Sequence, residues 1–217
     1  MTELGGGAQT VWILWPRLPA TSIVVFGHGW STPVPAGFGP WIAHLGARGS
    51  IVVYPRYVEP GESVQAALLA FESGLREAFD RIGPTRLPVV AVGKSFGGSA
   101  VFYYAASAAS LGLPPPRAIL SVFPALPLGT LPARLPASST FVEFLVGDAD
   151  TIAGSAGADA FWRWLADHPR SEKRYLVVHS RPGFVADHDS AQRSDPIARA
   201  VFWAPFDRLI ARAVRSS

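Results

Sequence analysis

Short apolar runs rich in β-branched residues alternate along the chain with longer stretches whose apolar positions recur every three or four residues. VWILWP (11–16), SIVVFGH (22–28), SIVVYP (50–55), PVVAVG (88–93), AILSVF (118–123), FVEFLVG (141–147) and RYLVVHS (174–180) predict strands. Several are apolar throughout, the pattern of a strand covered on both faces. Between them, 39–48, 62–82, 97–111, 157–168 and 196–214 predict helices; in the second, Val64, Leu68, Phe71, Leu75 and Phe79 mark one apolar face. The Pro/Gly-rich pieces at 31–40, 112–117 and 124–137 are short enough to be connections. Strands alternating with helices predict one α/β domain over 1–217, with a mostly parallel central sheet and helices on both faces. The opening residues 1–8, MTELGGGA, read as flexible.

Composition narrows the function classes. With 217 residues, 49% of them hydrophobic and 16% charged, the chain can bury a sizeable core in one domain. The net charge is +3, and the arginines are scattered singly, so no basic face for nucleic acid is expected. There are no cysteines, which excludes disulfides and thiolate metal sites and leaves the compartment open. No run approaches the ~20 apolar residues of a membrane span. MTELGGGAQT lacks the plan of a secretory signal, so the expectation is a cytoplasmic protein, or a secreted one if a signal was removed. Oligomeric state is not legible.

The chemistry centres on VVAVGKSFGGSA (89–100), which supports two readings. As the tail of a phosphate-binding loop, G-x-x-x-x-G-K-[ST], it would need its first glycine at position 88, which is Pro88, and residues 88–92 read as strand. As a G-x-S-x-G nucleophile elbow it is complete: a strand runs into Gly93, Ser95 sits at the bend, and Gly97, Gly98, Ser99 and Ala100 open a helix. Small flanking residues let neighbouring backbone crowd the turn, which projects the hydroxyl above the sheet edge. The following helix aims its N-terminal N–H groups at developing negative charge.

With VVFGHGW (24–30), GKSFGG (93–98), LVGDADTIAG (145–154) and FVADHDS (184–190), the chain resembles the α/β-hydrolase fold family. Within it, the resemblance is to the small lidless branch of cutinase-like esterases, polyester hydrolases and dienelactone hydrolase-like proteins, and it covers nearly the whole chain. Lys94 departs from it, since the family more often has His or an aromatic before the serine. The triad order in this fold, Ser then Asp or Glu then His, restricts the partners to residues after 95. The family pattern G-x-x-D-x-[IV], counted from Gly147, falls on Asp150, with Asp148 as the alternative acid. His188 lies in the loop after the last strand, where an imidazole can reach both serine and acid. His179, close to the end of that strand, is the alternative base. The resemblance also implies an oxyanion hole from the N–H groups of Phe96 and Trp30, and the Trp30 ring is a candidate wall of the acyl subsite.

The remaining groups have plainer readings. His28 precedes the nucleophile and reads as a structural hydrogen-bonder, His44 as a helix-face residue, and His168 as an exposed helix-end residue. Asp187 and Asp189 read as solvated, Lys94 as a surface residue, and Trp41, Trp162, Trp164 and Trp203 as helix–sheet packing. Between the strands at 118–123 and 141–147 lie 17 residues, too few for a full lid. The expectation is therefore an open-sited serine hydrolase for small or polymeric carboxylic esters, using no metal or organic cofactor. The same triad could serve thioester, amide or C–C cleavage, and a non-catalytic binding module of the same fold is the alternative class.

Overall fold

The computed structural model describes residues 1–132, 135 and 140–216. Eight strands form one sheet: β1 (Thr2–Leu4), β2 (Val11–Leu14), β3 (Ser22–Gly27), β4 (Ser50–Pro55), β5 (Val89–Lys94), β6 (Ala118–Val122), β7 (Phe141–Gly147) and β8 (Lys173–Val178). Their order is β1-β2-β4-β3-β5-β6-β7-β8. β2 pairs antiparallel with β1 and β4, and every pairing from β4 onward is parallel. The seven expected strands are all present. The eighth, β1, lies in the opening residues expected to be flexible: Leu4 opposite Val11 and Thr2 opposite Ile13 make it an edge strand too short to show any periodicity.

The helices are α1 (Gly39–Ala47), α2 (Val64–Ile82), α3 (Phe96–Leu111), α4 (Ala156–Trp164), α5 (Pro196–Ala198) and α6 (Ala204–Arg215), the last two joined by a π-helical turn at Arg199–Trp203. Side chains alternate across each strand. Ile23, Val25, Val89 and Ala91 meet Phe71, Phe102 and Phe161 of α2, α3 and α4 on one face. Val24, Phe26, Val90 and Val92 meet Trp41 and Phe206 of α1 and α6 on the other. This double cover explains why the strands read as continuous apolar runs. In α2 the expected face is buried at Leu68, Phe71, Leu75 and Phe79, but Val64 is exposed in the first turn, where the Ser63 hydroxyl caps the Ala66 N–H at 3.1 Å. Trp41 and Trp203 stack in the core, centroids 6.2 Å apart, while Trp162 and Trp164 pack at its margin.

Several expected elements end early, and for two of them this changes the reading of a histidine. α4 stops at Trp164 rather than 168, so His168 lies in the turn beyond it, and its Nε2 bonds the Thr140 carbonyl at 2.8 Å. It is a half-buried tie to the start of β7, not an exposed helix end. β8 stops at Val178, leaving His179 just outside the strand. Residues 133, 134 and 136–139 of the connection expected to exclude a lid lie outside the described residues; its described part contains no helix or strand, and no large lid is inserted there. Among the described residues no helix is long and apolar enough to cross a membrane.

Candidate active site

All the motif-bearing turns lie at the C-terminal edge of the parallel strands, and the sharpest follows β5. Ser95 has φ 58° and ψ −121°, a left-handed conformation that is costly for a residue with a side chain. Surrounding bonds hold it there: its N–H donates to the Val122 carbonyl and its own carbonyl accepts from the Ala125 N–H, both at 3.0 Å. Two glycines make the turn possible. A methyl on Gly93 would stand 2.1 Å from the Gly97 carbonyl oxygen, and one on Gly97 would stand 2.2 Å from the backbone of Gly27. β3, β5 and the first turn of α3 thus cross without side chains between them, and residues 88–94 form no phosphate-binding loop.

Asp150 follows β7 and His188 lies in the loop after β8. The His188 Nε2 is 2.9 Å from Ser95 Oγ, and its Nδ1 is 2.9 Å from Asp150 Oδ2. A carboxylate can only accept, so Nδ1–H donates to Asp150 and Nε2 keeps its lone pair for the serine O–H. The other oxygen of Asp150 accepts from the N–H groups of Ile152 at 2.9 Å and Ala153 at 3.0 Å. Burial opposes ionisation of Asp150, but the bonds from His188, Ala153 and Ile152 outweigh it and hold the carboxyl below its ordinary value.

The alternative acid and base are brought together as well, with each other and not with Ser95. His179 Nδ1 is 3.3 Å from Asp148 Oδ2, on the surface. Both oxygens of Asp148 accept from Ser180, through its N–H at 3.0 and 2.9 Å and its hydroxyl at 2.6 Å.

The loop after β3 carries the other expected elements. Its His28 carbonyl accepts from the Gly97 N–H at 2.9 Å and from the Tyr57 hydroxyl, while the Gly29 N–H donates to Thr32 Oγ1 at 3.1 Å. Among the described residues, the N–H groups of Trp30 and Phe96 have no protein acceptor. The half-exposed Trp30 ring leans on the buried Phe96, centroids 5.2 Å apart. His28 is fully buried, stacked 3.9 Å from the Tyr57 ring, with Nδ1–H donating to the Gly29 carbonyl at 2.7 Å. Burial, opposed by that bond and reinforced by the charge of Arg56, pulls its pKa down to about 4. It is a neutral structural ring. His44 lies on α1 and bonds Asp207 of α6 at 2.9 Å.

Lys94 corrects the surface reading: its side chain is buried beside the elbow and its Nζ donates to Asp189 at 3.2 Å. The available signal was the alternation of Val90, Val92 and Lys94 on one strand face. Tyr57, which braces the oxyanion-side loop, lies in no motif that would mark it in the sequence.

No family model matches the chain, and no curated protein matches it. Among solved structures it is similar to esterase B from Lactobacillus Rhamnosis, with a TM-score of 0.75 at 13% identity over 96% of this chain and 82% of that one. Carboxyl esterase 2 from the mycorrhizal fungus Tuber melanosporum gives 0.73 at 15% identity over 98% and 86%. Acyl-protein thioesterase 2 from Zea mays gives 0.63 at 14% over 92% and 98%. The chain has the α/β-hydrolase fold. At these identities the likeness carries architecture, and the chemistry rests on the side chains.

Proposed function

We propose that this α/β-hydrolase-fold protein is a serine hydrolase acting on carboxylic esters, with Ser95 as nucleophile, His188 as general base and acid, and Asp150 as the carboxylate that orients it. The observation that carries this reading is the unbroken Ser95–His188–Asp150 relay, 2.9 Å at each link, on a strained turn at the open edge of the sheet. His188 Nε2 takes the serine proton as Oγ attacks the ester carbonyl. The tetrahedral oxyanion is held by the Phe96 and Trp30 N–H groups, whose lack of a protein acceptor among the described residues supports this role. The imidazolium, stabilised by Asp150, protonates the departing alcohol, and a water deprotonated by the same ring releases the acid.

The intact relay weighs against a non-catalytic module. Two of the similar structures are esterases, which supports an ester substrate, and the maize structure is a thioesterase, so a thioester belongs in the substrate panel. The 18-residue connection between β6 and β7 and the exposed Trp30 support a place in the small lidless branch, with small or polymeric esters as substrates. Intact-mass measurement after exposure to a fluorophosphonate tests the reading. Wild type is expected to gain one adduct, Ser95→Ala and His188→Ala none, and His179→Ala one. A folded wild type that takes no label overturns the hydrolase.

A further inference from the structure

Lys94 puts a buried cation on a largely apolar face of the sheet that also holds Ser22, Ser50 and Glu143. Val90 and Val92 of β5 face the cluster of Phe26, Trp41 and Ala191, and the two-residue alternation puts Lys94 on the same face. Its side chain is 3% exposed. The stem runs beneath the oxyanion-side loop, where a methyl on Gly29 would stand 3.3 Å from Cδ. At its end, Nζ donates to Asp189 Oδ1 at 3.2 Å, and that oxygen also accepts from Gln192 Nε2 at 2.9 Å. The residue immediately before the nucleophile is therefore bonded to the residue immediately after the base.

Stability does not explain the arrangement. Burial pushes the Lys94 pKa down, while the bond to Asp189 and the charges of Asp189, Asp150 and Asp187 act the other way. Asp189 is 73% exposed, so solvent screens the attraction. An apolar side chain of similar length would fill the face without burying a charge. What it would lack is a directed link from the elbow strand to the histidine loop. Of the loop's other bonds, Ala186 N–H to Ser180 Oγ at 3.0 Å and Ser190 Oγ–H to the Asp187 carbonyl at 2.7 Å set its shape, those of Ser180 tie its start to Asp148, and those of His188 to Ser95 and Asp150 are the contacts to be positioned.

We propose that Lys94 is a positioning residue, whose bond to Asp189 holds the loop so that His188 reaches Ser95 and Asp150 at once. The proposal rests on the triad reading above. It is tested by kcat, KM and thermal melts on p-nitrophenyl acetate for Lys94→Met, Asp189→Ala, the double variant and Ser95→Ala. Lys94→Met is expected to melt at or above wild type while kcat falls about 10- to 100-fold, the cost of a small misplacement, with KM within about twofold. Asp189→Ala loses similar activity but melts lower, because the buried ammonium is left without its carboxylate partner. The double variant regains the melting temperature and is no slower than either single. Wild-type kcat in Lys94→Met, or multiplying losses in the double variant, overturns the positioning role while an inactive Ser95→Ala leaves the triad standing. Undiminished turnover in Ser95→Ala overturns the hydrolase reading, and the positioning role with it.

Discussion

Two Asp–His pairs stand at the same edge of the sheet, drawn from the same two turns. Asp148 and Asp150 both follow β7, and His179 and His188 both follow β8. In the first pair the imidazole is 76% and the carboxylate 34% exposed, at 3.3 Å; in the second they are 8% and 0% exposed, at 2.9 Å. Asp148 spends its oxygens on Ser180 and so anchors the start of the loop, whereas Asp150 faces inward and fixes an imidazole whose other nitrogen meets Ser95. Identical residue types thus divide into a fastener and a relay. Burial and the third partner make the difference, since a charge-assisted bond away from water is both stronger and better directed.

The largest difference between the two pairs is expected in turnover. Asp150→Ala should lower kcat by roughly 10³- to 10⁴-fold, the usual cost of losing the orienting carboxylate, while Asp148→Ala stays within about threefold of wild type; steady-state kinetics on one ester decide it. Equal losses would erase the distinction. Acid melts sharpen it next. Both carboxyls are held below their ordinary values, Asp148 chiefly by the Ser180 bonds and Asp150, against its burial, by His188 and the two backbone N–H groups. A depressed carboxyl stabilises the fold above its unfolded value and loses that contribution as pH falls through its folded one. Asp148→Asn should therefore melt below wild type near pH 7, and the gap should close on acidification.

A smaller effect isolates the fastener. Ser180→Ala should let the Asp148 carboxyl titrate closer to its ordinary value, followed by NMR, with Asp150 unmoved. The smallest is expected for His179→Ala, whose exposed ring is screened by solvent and salt: kcat should stay within about twofold at any ionic strength.

The difference between the pairs also marks what was legible in the chain. Alternating apolar runs located seven strands, and G-x-S-x-G with a strand before it and a helix after it located Ser95, because those signals are local. For the partners of Ser95, the family pattern counted from Gly147 favours Asp150 over Asp148 and loop placement favours His188 over His179, but which way each side chain faces is set by the fold. Lys94 is half legible: its alternation with Val90 and Val92 puts it on a buried face, but its partner, Asp189, lies 95 positions away. The end of β8 was overrun because VVHS continues the apolar run into a histidine that faces water.

The 93 residues separating Ser95 from His188 make the relay a property of the completed sheet. The elbow needs only β3, β5 and β6 side by side, strain included, yet its hydroxyl then has no partner. Asp150 comes with β7, and the imidazole with the loop after β8. Turnover therefore requires β5, β7 and β8 in place together, so catalysis reports on the edge of the sheet as well as on its centre.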